Sequence, residues 1–152
     1  METSKTMDLT KTYPRSVHDK WLGLVQLGRT LDKGKAQAFG EIGEYHYDCP
    51  MDRHVFEFLG INADEFLNAI RNAKSDSDIE AYLEPYIGKK SPEEIDRFNR
   101  DWVTRRPQGE SLEYFTNLRD QIAPERTDVT SWADLLDLDE KRTVPKREAV
   151  SV

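Results

Sequence analysis

Residues 50–71 read PMDRHVFEFLGINADEFLNAIR, and this stretch decides the fold class. The N–H that proline lacks is one that a helix start leaves unpaired anyway, so Pro50 is well placed to open a helix. Met51, Val55, Phe58 and Leu59 then recur at three- and four-residue steps, which puts them on one buried stripe until Gly60 stops the helix. Asn62 caps the next helix, Glu65 completes a capping box with it, and Phe66, Leu67 and Ile70 face inward. Two short amphipathic helices in succession mark an α-helical chain.

Downstream the same grammar repeats. A helix starts near Asp76 or Ser77 with Ile79, Tyr82, Leu83, Tyr86 and Ile87 on one side, strained by Pro85 in its last turn and ended by Gly88. Ser91-Pro92-Glu93-Glu94 supplies a cap, a proline at the first helical position and an acid at the third, with Ile95, Phe98 and Trp102 behind it. Pro107 and Gly109 close that segment. Leu112, Phe115, Leu118 and Ile122 carry a helix over about 111–122, and Trp132, Leu135 and Leu136 a short one opened by Thr130 or Ser131.

Upstream, EIGEYHYDC over residues 41–49 changes the pattern to alternation, which suits an extended loop or a short strand. Before it, Ser16 with Asp19 three residues on reads as a helix start. Val17, Trp21, Leu24, Val25 and Leu31 then mark a long amphipathic helix to about Gly40. Gly23, Gly28 and Gly34 lie inside it, each costing about 1 kcal/mol against alanine, so the helix either kinks or packs closely there. The expected architecture is all-α: a single compact domain of six or seven short helices over 16–140, preceded by a polar arm (1–15) and followed by a disordered tail (141–152).

Composition narrows the function. The chain has 152 residues, and 29 acidic against 22 basic side chains leave a net charge of −7, which repels a phosphate backbone and disfavours nucleic acid and membrane surfaces as partners. No secretory run and no span long enough for a bilayer is present, and a single cysteine fits a reducing compartment, so a cytoplasmic location is expected. Gly-rich phosphate loops, G-x-S-x-G, H-E-x-x-H and EF-hand patterns are all missing, and no cofactor is expected.

Three segments carry a resemblance: WLGLVQLGRTLDKGKAQAFGEIGEYHYDCPMD (21–52), VFEFLGINADEFLNAIR (55–71) and, more weakly, SWADLLDLDE (131–140). They resemble a bacterial family, the domain of unknown function 5069 family, over roughly residues 10 to 140. The resemblance implies a free-standing small bacterial protein and carries no activity, cofactor or functional residue over to these positions. Gly34 departs from the bulkier helix former expected there.

Three constellations stand out from the residues themselves. Cys49 occupies the cap position ahead of Pro50, where helix N–H groups favour negative charge on sulfur; it is either a reactive thiol, with His46 or His54 as base, or a small buried hydrophobe. His46, Cys49 and His54 are weak candidate metal ligands whose spacing matches no zinc pattern. Arg29, Asp32 and Lys33 share a helix face, and Tyr45, Asp48 and Asp52 follow directly. They form either a pocket for a small anion clamped by Arg29, or an ion-pair network that pins the loop to the helix. Asp134, Asp137, Asp139 and Glu140 read as a solvated acidic face. The expected function is a binding or interaction module for a small anionic ligand or a protein partner. A small enzyme using Cys49 and a purely structural or oligomer-forming protein are the alternatives.

Overall fold

The helix caps are where the sequence puts them in the computed structural model, which describes residues 7–147. Asn62 Oδ1 accepts the Glu65 N–H at 2.9 Å, Ser91 and Glu94 exchange a reciprocal pair at 3.1 Å, and Ser131 Oγ accepts the Asp134 N–H at 3.2 Å. Each side-chain oxygen satisfies a donor that the first helical turn cannot. The described residues form α1 (Leu27–Phe39), α2 (Pro50–Leu59), α3 (Ala63–Asn72), α4 (Asp76–Ile87), α5 (Pro92–Thr104), α6 (Ser111–Ile122) and α7 (Trp132–Asp139). The fold is all-α, and residues 41–49 are a loop; among the described residues the only β-type pairings are two isolated bridges.

The first helix is shorter than its hydrophobic spacing predicts. Val17, Leu24 and Val25 are buried as expected, but residues 16–26 are a chain of turns. Leu22, Gly23 and Gln26 all have left-handed backbone, with φ of 54°, 85° and 68°, which no right-handed helix contains. Asn99 of α5 accounts for the alternative: its Oδ1 accepts the Val25 N–H at 3.0 Å and its Nδ2 donates to the Gly23 carbonyl at 2.9 Å. A side chain from α5 thus supplies the hydrogen bonds that a helical turn would have made. Ser16 and Asp19 do exchange cap-like bonds, but they close a single turn.

Both ends are more embedded than their polarity suggests. Leu9 and Pro14 of the arm are buried, and the Leu9 N–H donates to the Glu41 carbonyl at 2.8 Å. In the tail, Val144 joins Phe115, Val129 and Leu135 in a small second core. Residues 1–6 and 148–152, the remainder of the expected arm and tail, lie outside the described residues.

The main core is built from α1 to α5 around Leu27, Leu31, Phe56, Phe66, Leu83 and Trp102. At its centre α1 packs chiefly on α3. Gly34 lies at that contact: a Cβ there would sit 2.5 Å from Ile70 Cδ1, so a bulkier residue would require the Ile70 side chain to shift.

A helix surrounded on all sides is normally apolar all round. In α1, every residue from Leu27 to Ala36 is buried, yet these include Arg29, Thr30, Asp32, Lys33 and Lys35. Burying a charge without a partner costs several kcal/mol, so each of these must be answered from another element. The answers to Arg29, Thr30 and Lys33 build the site.

Candidate functional site

Lys33 Nζ donates to Asp52 Oδ2 at 2.8 Å and to Cys49 Sγ at 3.1 Å. Asp52 is fully buried at the start of α2 and also accepts from Thr30 Oγ1 at 2.6 Å, Gln26 Nε2 at 3.3 Å and the backbone N–H of Asp48 at 3.1 Å. One carboxylate therefore closes the first turn of α2 and neutralises the middle of α1. On the next turn, Arg29 forms a bidentate pair with Glu140, at 2.9 and 2.7 Å, and the Tyr45 hydroxyl donates to the same carboxylate at 2.7 Å. Arg142 also reaches Glu140.

Burial alone would raise the Glu140 carboxyl, but Arg29, and after it Tyr45 and Arg142, hold it below the usual glutamate value. Burial and the bond to Glu140 push the Tyr45 phenol well above the ordinary tyrosine range, so Tyr45 acts here as a donor.

These residues back an open cleft of 840 Å³ between the arm, α1, the 41–49 loop, α6 and α7. Leu9, Tyr13, Met51, Tyr114 and Leu136 give it apolar walls, and Arg29, Lys33, Glu44, Tyr45, His46, Cys49, Asp139 and Glu140 supply the polar lining. Such size and mixture suit a small-molecule site.

Of the residues singled out from sequence, Arg29, Lys33, Tyr45 and Cys49 converge on the cleft, with Asp52 directly behind Lys33. Asp32 does not: it turns to Arg15, accepting its backbone N–H at 2.8 Å and its guanidinium at 3.1 Å. Asp48 lines a separate depression with Arg53. His54 lies apart from Cys49, stacked on Phe98 with ring centroids 5.6 Å apart, so the candidate metal ligands are not brought together. Among the described residues no three His, Cys, Asp or Glu side chains are grouped to hold a metal ion.

The Arg29 guanidinium, expected to clamp an anion, is paired with Glu140 of the chain itself. The solvated acidic face expected on α7 is corrected by the structure. Asp134, Asp137 and Glu140 are each under 8% exposed, and only Asp139 points outward. Their spacing of three residues, broken by Leu135 and Leu138, signals an inward polar stripe, as Thr30 and Lys33 do on α1.

A second pair ties α7 to the turns before α1. His18 Nε2 lies 2.9 Å from Asp134 Oδ1, and Arg147 holds the same carboxylate at 3.0 and 3.1 Å. The bond to Asp134 raises the His18 pKa above its ordinary value, against the opposing effect of burial. A raised histidine stabilises fully below the unfolded value of about 6.5 and loses that contribution as pH rises through the folded value. Urea unfolding near pH 6 and pH 8 should therefore show wild type losing its advantage over His18→Gln at the higher pH. A stability difference independent of pH would mean that the charge on His18 plays no part.

A family model described as Domain of unknown function (DUF5069) matches residues 11–142, and the chain belongs to that family. No curated protein matches the chain. No helix among the described residues is long and apolar enough to cross a membrane.

Proposed function

We propose that this member of the DUF5069 family is a binding module that takes a small cationic ligand, an amine with an apolar body, into the cleft between α1, the 41–49 loop and α7. The charge arrangement of the cleft carries this reading. Its two buried cations, Arg29 and Lys33, are each closed on a carboxylate of the chain, whereas Glu44 and Asp139 line it without an ion pair among the described residues. An anion would have to break a buried pair to reach either cation, at a cost of about 3–5 kcal/mol. An ammonium group would instead answer two open carboxylates.

Burial, then Glu140, pushes the Asp139 carboxyl above the usual aspartate value, and a cation bound there would relieve the repulsion between neighbouring carboxylates. The exposed ring of Tyr114 adds a face to which a cation is attracted, and Leu9, Met51 and Leu136 offer the apolar surface. For a small enzyme built on Cys49 the support is weaker, because the hydrogen-bonding neighbours of the sulfur are Lys33 and Asp52 and no histidine is among them.

Calorimetric titration with a series of primary and quaternary ammonium compounds, against carboxylates and phosphates of matched size, tests the reading. Ammonium compounds should bind, and a ligand at a hundred times its Kd should stabilise by about 2.7 kcal/mol. Both effects should disappear in Glu44→Gln/Asp139→Asn, whose sites are exposed enough to leave folding intact. Anions that bind equally well to that double variant would overturn the assignment.

A further inference from the structure

We infer that Lys33 and Cys49 form a reversible covalent cross-link when the protein meets a hydroperoxide, so that the cleft wall carries a redox-sensitive bond between α1 and the start of α2. The inference is independent of which ligand the cleft takes. A thiol alone would give no reason for it; the geometry of three groups does. Lys33 Nζ stands 3.1 Å from Cys49 Sγ, Asp52 Oδ2 stands 2.8 Å from that nitrogen, and the same oxygen is 3.5 Å from the sulfur. The Lys33 side chain is only 5% exposed, so its amine is held against the sulfur and cannot swing into solvent. Cys49 is half-buried and lines the open cleft, which gives a small peroxide access to it.

The chemistry closes with these groups and one oxidant. Cys49 sulfur attacks a peroxide oxygen, the O–O bond breaks, and the thiol becomes a sulfenic acid while hydrogen peroxide is reduced to water. The Lys33 ammonium first passes one proton to Asp52 Oδ2, the atom it already faces, and the freed amine attacks the sulfenic sulfur. The S–N bond forms, the S–O bond breaks, and the hydroxyl leaves as water with a second proton from the same nitrogen. The product is a sulfenamide with two hydrogens fewer than the reduced protein, and no second oxidant is consumed.

An external thiol reverses the bond by attacking sulfur and returning the amine, and a second thiol resolves the mixed disulfide. In the cross-linked state Lys33 no longer carries the charge that balances Asp52, while the helices are joined covalently. The bond therefore exchanges a buried ion pair for a tether at the same place.

Hydrogen peroxide added to the purified full chain, followed by intact-mass measurement and peptide mapping without reductant, tests this directly. The expected product has lost two hydrogens, joins the Lys33 and Cys49 peptides, resists thiol alkylation, and reverts with dithiothreitol; Cys49→Ser should give none of it. Oxidation of Cys49 to sulfinic or sulfonic acid on an unlinked peptide, or an intermolecular disulfide as the product, would overturn the inference. Lys33→Arg, where it folds, should divert wild-type behaviour to those acids. The wild-type peptide map decides the matter alone if that variant does not fold.

Discussion

Asp52→Ala is expected to cost about 3–5 kcal/mol of folding free energy, the range for removing one partner of a buried ion pair. The side chain is fully buried, and it answers six donors at once: Lys33, Thr30, Gln26, the Cys49 thiol and the backbone N–H groups of Asp48 and Cys49. Alanine leaves the Lys33 ammonium in the interior with only a sulfur to receive it, and strips the first turn of α2 of its acceptor. Against a typical total of about 5–15 kcal/mol this is enough to populate the unfolded state.

The comparison that isolates the pair is Lys33→Met/Asp52→Ala, which removes both charges. Its loss in urea unfolding should be clearly smaller than the sum of the two single losses, because each single variant strands a charge and the double does not. Additive losses, or a cost for Asp52→Ala under about 1 kcal/mol, would mean that water reaches the pair and that it behaves as a surface contact.

The parts of this fold that are legible in sequence are those governed by neighbours in the chain. Gly60, Asn62, Ser91 and Ser131 set helix ends through hydrogen bonds spanning a few residues, Pro50 does so through its fixed φ and missing N–H, and the observed bounds follow them. Residues 16–26 fail for the opposite reason. Their apolar spacing reports burial correctly, but Asn99 decides what the backbone does there, and no local pattern announces a side chain arriving from α5.

The site divides the same way. Arg29, Lys33, Tyr45 and Cys49 are recognisable as a neighbourhood because the loop leaves the end of α1 and folds back along it. Glu140, which occupies the Arg29 clamp, and Asp139, which leaves the cleft an open carboxylate, come from the far end of the chain. Charge complementarity in a sequence says that a base will find an acid; it does not say which of 29 acids it will be.

Arg29→Ala should be destabilising by about 3 kcal/mol, toward the lower end for a broken buried pair, because a second cation remains beside the stranded carboxylate. Arg142 also pairs with Glu140, and the Tyr45 hydroxyl still donates to it, so its charge is not left bare. The lost guanidinium was nonetheless bidentate and nearly fully buried, and lysine cannot reproduce its fork, so Arg29→Lys should recover little. The sign of the pH dependence follows from Glu140. Its folded carboxyl lies below the ordinary value, so its contribution is present above about pH 4.5 and is lost as the pH falls through the folded value. The stability gap between wild type and Arg29→Ala should accordingly be full at neutral pH and close on acidification. Glu140→Ala should mimic Arg29→Ala, and the double variant should lose less than the two losses added together. A variant that kept its stability within about 0.5 kcal/mol and lost only the binding of an anion would instead return Arg29 to the role of ligand clamp.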